Sequence, residues 1–174
     1  MVDSEGNKIF IALGSNIGDK AQYLSQAMDC LKEVATSEII CSTIYETPPV
    51  GPGKQEIYLN MCLSFYTKHS PLKLLDFCKA TENKLGRLPR ERWGPREIDI
   101  DILLYGDREL KHPRLTLPHP QIFCRQFVLV PLHDIAPNLF ITRWQKTVSQ
   151  LLQELTDREG NAAIVPFIDN GVPG

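Results

Sequence analysis

The chain lacks most of the features that would place it outside an ordinary soluble fold. Its five cysteines (Cys30, Cys41, Cys62, Cys78, Cys124) are odd in number and form no CxxC pair, which excludes a disulfide framework and a zinc knuckle. They read as reduced residues of a cytoplasmic protein. No apolar run approaches a membrane span, and Asp3 and Glu5 interrupt any signal-peptide pattern. Neither sign of charge is in excess: the net charge is −2, so no global basic surface points to nucleic acid. No nucleophile triad is visible in the sequence, which argues against covalent catalysis. GxxxxGK[ST] and GxGxxG are both missing, so there is neither a P-loop nor a Rossmann fingerprint.

What is present, in 174 residues, suits one domain with a proper core. Lys8 to Leu13 reads as a buried strand, and Gly14 to Gly18 as a turn that leads to Asp19 as an N-cap. Leu24, Ala27, Met28, Leu31 and Val34 recur at helical spacing. Ile39 to Glu46 reads as a second strand, and Tyr58 to Thr67 as a third with period-two alternation. Ser70 and Pro71 open a second helix as N-cap and N1. Ile98 to Tyr105 is the fourth strand. The order β-α-β-β-α-β predicts a ferredoxin-like α+β fold: a four-stranded antiparallel sheet with two helices on one face. Helical additions follow near Cys124–Ile135 and Thr147–Leu155. Residues after Thr156 carry little signal, so the domain is drawn as 1–158 and 159–174 as a tail or linker.

The chemistry concentrates between Arg92 and Tyr105. On a strand, Asp99 and Asp101 share one face while Ile98, Ile100 and Ile102 share the other. Two like charges so close need a divalent cation or arginines to neutralise them. An Asp-x-Asp strand can also be a solvated edge, but the stiff Trp93-Gly94-Pro95 approach and the apolar flanks favour a partly dry site. Carboxylates without nearby His or Cys suit Mg²⁺, and two of them can hold two ions about 3.5–4 Å apart. Arg87, Arg90, Arg92 and Arg96 lie just upstream, and guanidinium forks suit phosphate oxygens. His119 and Arg125 are further phosphate candidates. Thr47 to Gly53, with stiff prolines and permissive glycines, suits a hinged lid. Tyr58, Asn60 and Phe127 supply two rings and an amide that could hold a flat heterocycle, although rings at such positions are more often core.

The stretch Arg92 to Asp101 resembles the signature of the 6-hydroxymethyl-7,8-dihydropterin pyrophosphokinase family. The resemblance extends through Ile11–Asn16, Tyr45–Gly51, Tyr58–Asn60, Leu117–His119, Arg125, Phe127 and Pro131–Leu132. It implies the ferredoxin-like fold, and transfer of pyrophosphate from ATP to the pterin hydroxymethyl group with release of AMP. It implies that Asp99 and Asp101 hold two Mg²⁺ ions, and that Arg87, Arg96, His119 and Arg125 contact phosphate. Arg90 and Arg92 would sit in a mobile catalytic loop, and Glu82 and Trp93 near the nucleotide. Thr47, Pro48, Val50, Tyr58, Asn60 and Phe127 match the pterin pocket. Asn16 and the 47–53 and 86–95 loops would be moving lids. ATP and a pterin are thus the expected partners, with no membrane or nucleic acid and with room for a fused folate-pathway enzyme. The competing readings are an RNA-binding ferredoxin-like module that uses the 87–96 arginines, and an idle pterin or nucleotide binder. The third strand lacks the aromatic signature on which RNA-recognition domains stack bases.

Overall fold

Apolar side chains alternate along three long strands, and each alternate set finds its own core. The computed structural model describes residues 5–49, 53–89 and 94–169. In chain order the elements are β1 (Asn7–Ser15), α1 (Lys20–Leu31), β2 (Ile40–Cys41), β3 (Tyr45–Thr47), β4 (Tyr58–Thr67), α2 (Pro71–Lys84) and β5 (Asp99–Tyr105). A short hairpin of β6 (Leu110–His112) and β7 (Leu115–Leu117) follows, then α3 (Gln126–Ile135). A second hairpin of β8 (Phe140–Ile141) and β9 (Lys146–Thr147) leads to α4 (Val148–Glu159) and β10 (Val165–Pro166). The main sheet runs β10-β3-β4-β1-β5, with β2 also paired to β4, and every pairing is antiparallel.

Ile9, Ile11 and Leu13 of β1, Met61 and Phe65 of β4, and Ile98, Ile100 and Ile102 pack under Leu24, Leu31, Leu74 and Cys78 of α1 and α2. The opposite set, including Phe10, Cys62, Leu103 and Leu104, packs under Leu129 and Leu132 of α3 and Leu151 and Leu155 of α4. Both faces of the sheet are therefore covered, each by a helix pair. The caps foreseen at Asp19 and Ser70 form: their side chains accept from the N–H groups of Gln22 and Lys73. Thr147 and Gln150 add a reciprocal capping box at α4.

Three expectations are corrected. The sheet has six strands rather than four. One addition is β10, from the tail, which pairs Val165 with Glu46 and Pro166 with Tyr45. The other comes from the expected strand Ile39–Glu46, which breaks into β2 and β3. At the break, Ser42 Oγ accepts the Cys62 N–H at 2.9 Å and donates to the Thr43 carbonyl at 2.8 Å. A side chain there replaces a ladder carbonyl. Ser42→Ala leaves the buried Cys62 N–H without that acceptor, and is expected to lower unfolding free energy by about 1–2 kcal/mol in urea titrations. Finally, the helix expected from Cys124 starts at Gln126, preceded by a 3₁₀ turn over Ile122–Cys124.

β5 departs from regular pairing at one point. Ile11 opposes Ile102 but Phe10 opposes Leu104, so Leu103 is an extra residue. This bulge turns both Leu103 and Leu104 toward α3 and α4. Before it, the Asp face of β5 looks out beyond the edge of that helical layer, where a cleft opens.

Candidate functional site

The cleft lies over the ends of β1, β4 and β5, with about 930 Å³ of empty space that includes open solvent. β5 contributes Asp99 and Asp101, separated by one inward isoleucine, and β4 contributes Tyr58 and Asn60. Thr47 and Pro48 follow from the end of β3, and Gly94 and Arg96 from the approach to β5. His119 comes from the turn after β7, Arg125 and Phe127 from the start of α3. Ten of the residues singled out in the sequence thus line one cavity: Thr47, Pro48, Tyr58, Asn60, Arg96, Asp99, Asp101, His119, Arg125 and Phe127. Val50, Arg90, Arg92 and Trp93 lie outside the described residues.

The acidic pair is unequal. Arg87 reaches Asp99 Oδ1 at 3.2 Å and Arg96 reaches the same oxygen at 3.3 Å. Asp101 has no ion pair among the described residues. Burial, and then the Asp99 charge, push its carboxyl up to about 7. An acid held in that way is a place where a cation would be welcome. The donor set is two carboxylates, and among the described residues no cluster of three or more His, Cys, Asp or Glu stands ready to enclose an ion. Hard oxygen ligands too few for a closed cage fit Mg²⁺, which takes its remaining ligands from water and phosphate.

Behind Asp99, Glu82 is buried at 2% exposure. Its Oε2 accepts from Arg87 Nη1 at 2.6 Å and from the Ile100 N–H at 2.9 Å, and its Oε1 pairs with Lys79 Nζ at 3.2 Å. Glu82 and Arg87 do not line the main cleft. With Lys79 and Asn83 they line a second, adjoining cavity, and Arg96 lines both.

On the other wall, Asn60 Nδ2 donates to Thr47 Oγ1 at 2.6 Å. Burial raises the Tyr58 phenol above its usual range, so it stays protonated. Arg125 lies with its guanidinium carbon 5.5 Å from the Phe127 ring centre. His119 Nδ1 accepts the Gln121 N–H at 3.2 Å, which leaves the proton of the neutral ring on Nε2. Burial first, and then Arg125, lower the His119 pKa and keep that ring neutral near pH 7.

Two residues were undervalued from sequence. Gly14 reads as part of a plain connector, yet a Cβ there would lie 2.6 Å from Asn60 Oδ1. Its use is the close approach of an amide, for which a strand-end glycine is the visible signal. Gly14→Ala is expected to displace Asn60 and raise the KM of whatever Asn60 reads by about tenfold, with kcat little changed, in steady-state kinetics. Asn16, expected in a moving lid, is 1% exposed. Its Oδ1 accepts the Arg96 N–H at 2.7 Å, its N–H donates to the Arg96 carbonyl at 3.1 Å, and its Nδ2 donates to Gln55. Asn16 is a brace that sets where the Arg96 side chain starts.

Comparison with known proteins places this geometry. The family model described as 7,8-dihydro-6-hydroxymethylpterin-pyrophosphokinase (HPPK) matches residues 10–137. A 2-amino-4-hydroxy-6-hydroxymethyldihydropteridine pyrophosphokinase of Synechocystis is 42% identical over 146 residues, covering 83% of this chain and 74% of its own. The enzyme of the same name from Bacillus subtilis is 41% identical over 155 residues, 88% of each chain. The bifunctional protein FolKE of Lactococcus lactis is 35% identical and covers 90% of this chain, which spans 44% of that longer protein. Among solved structures, an HPPK-DHPS in complex with substrates superposes with a TM-score of 0.71 at 13% identity. That match covers 89% of this chain and 44% of the other, and its low identity speaks to fold alone. By the family match and these identities, the chain belongs to the 7,8-dihydro-6-hydroxymethylpterin-pyrophosphokinase family.

Proposed function

We propose that the cleft carries out this family's reaction, in which pyrophosphate passes from ATP to the hydroxymethyl group of 6-hydroxymethyl-7,8-dihydropterin in folate biosynthesis. The observation that carries the reading is the meeting of an acidic pair, three arginines and an aromatic pocket around one strand end. The sheet positions beneath it, taken as second, third, first and fourth strands across the sheet, support the ferredoxin-like description, with β2 and β3 sharing the second place.

Tyr58 and Phe127 offer faces for the flat pterin, and Asn60, held by Thr47, reads its edge. Arg87 and Arg96 stand at the boundary of the two cavities, so a triphosphate that enters past Lys79 and Arg87 would meet Arg96 and the aspartates before the pterin. Asp99 and Asp101 would hold Mg²⁺, which when bound neutralises phosphate charge. Arg87 and Arg96, which now share Asp99 Oδ1, would then be available to pair with phosphate oxygens. His119, neutral, donates Nε2–H to the same anionic group. The pterin hydroxyl oxygen forms a bond to the β-phosphorus of ATP as the bond to the α–β bridging oxygen breaks. AMP leaves, and the hydroxyl proton is lost to solvent. Positioning and fixed charge dominate such a transfer.

Five free cysteines, and the absence among the described residues of any helix long and apolar enough to cross a membrane, fit a reducing cytoplasmic setting. Family membership displaces the RNA-binding reading. The test is product analysis with MgATP, with and without the pterin. Pterin-dependent AMP is expected; ADP as the product would refute pyrophosphoryl transfer.

A further inference from the structure

We infer that residues 160–167 form a strap that holds the two walls of the pterin pocket at a fixed separation, with Gln126 as the positioning residue. One wall is the start of α3, where Gln126 stands between Arg125 and Phe127. The other is β3, which ends at Thr47. Gln126 grips the tail with both ends of its amide: Nε2 donates to the Gly160 carbonyl at 2.8 Å and Oε1 accepts the Ala162 N–H at 3.0 Å. Three residues later the tail becomes β10 and pairs with Glu46 and Tyr45 of β3. The Phe167 N–H then donates to the Ile44 carbonyl at 2.8 Å, and its ring packs against the core beneath α1 and α2. The tail thus leaves α4 on one face of the sheet, crosses the β3 edge and anchors on the other face. On the way it touches Gln126, next to Phe127, and Glu46, next to Thr47.

A tail laid on an edge strand can simply protect that edge. The two-handed grip by Gln126 is what edge protection does not require, because it adds nothing to the pairing of β10. It fixes the position of the α3 start relative to β3, and so the gap between Phe127 and the Thr47–Asn60 pair. Order in the pocket before the substrate arrives spares that cost on binding.

The inference rests on the reading of this cleft as the pterin site. The experiment compares the intact chain, Gln126→Ala, a chain without residues 160–174, and the two changes combined, with pterin KM, kcat, MgATP affinity and amide hydrogen exchange as readouts. Gln126→Ala and the deletion are each expected to raise pterin KM about fivefold, with kcat and MgATP affinity within about twofold. The combined variant is expected to be no worse than the deletion, since both remove one connection. Unchanged pterin KM in either variant, or losses that multiply in the combined one, would overturn the strap. Hydrogen exchange separates this from a failure of the site reading. Faster exchange at residues 45–47 in Gln126→Ala is expected whatever reaction the cleft performs, and unchanged exchange there also overturns the strap.

Discussion

Asp101→Ala is expected to lower pterin-dependent AMP release by on the order of a thousandfold, equivalent to about 4 kcal/mol of transition-state stabilisation. Asp99→Ala removes the other carboxylate, but it also frees Arg87 and Arg96, both of which now sit on Asp99 Oδ1. Those guanidiniums can still reach phosphate, so the smaller loss is expected there. Asp101 has no such compensation. Its stability effect should run the other way. Burial raises its carboxyl to about 7, well above the ordinary carboxylate range. Between that range and pH 7 the folded state pays progressively more to keep Asp101 ionised, and above pH 7 the full cost is present. At pH 8 without Mg²⁺, Asp101→Asn should therefore unfold at a higher temperature than the parent while being nearly inactive. A residue kept at a cost to stability is the mark of a functional site. Near-parental turnover in Asp101→Ala with an intact fold would sink the cation role, and a lower midpoint for Asp101→Asn at pH 8 would show that Asp101 is structural.

Much of this was legible where chemistry and period coincide. The Ile–Asp alternation of β5 by itself puts two carboxylates on one face, since a strand allows no other arrangement. Pro71 at the start of α2 and the caps at Asp19 and Ser70 were legible because they are local. What stayed hidden depends on partners distant in sequence. Ser42 looks like any strand residue until its hydroxyl is seen to take the Cys62 N–H. β10 is two residues long and exists only because β3 offers an open edge. Leu103 is an ordinary apolar residue whose bulge appears only in its register with β1. Gly14 matters through an amide 46 positions away in sequence, as the spacing to Asn60 shows. Gln126 acquires a role only from a tail whose sequence has no periodic signal.

Glu82 separates a resemblance from a physical role, and Glu82→Ala is expected to cost about 1–3 kcal/mol of stability, the penalty for leaving the buried Ile100 N–H without its acceptor. Family resemblance sets Glu82 near the nucleotide. In the structure its carboxylate is buried, and both oxygens are engaged by the chain itself. The decisive contact is with the Ile100 N–H, which lies between the two aspartates on the outer edge of β5. One carboxylate thus holds the strand that carries Asp99 and Asp101 and also the arginine that faces Asp99. Its loss leaves a buried donor without its acceptor and lets Arg87 swing fully onto Asp99, where it competes with the cation. Turnover should fall by about a hundredfold alongside the stability loss. Glu82→Gln keeps the shape and one accepting oxygen, so it should recover part of both. The alternative, direct contact with ATP, predicts a different pattern: weaker MgATP binding with an unfolding midpoint close to the parent. Urea unfolding and MgATP titration of the same two variants decide between them. A Glu82→Ala protein less than about 1 kcal/mol below the parent would remove Glu82 from the framework of the site and return it to the nucleotide.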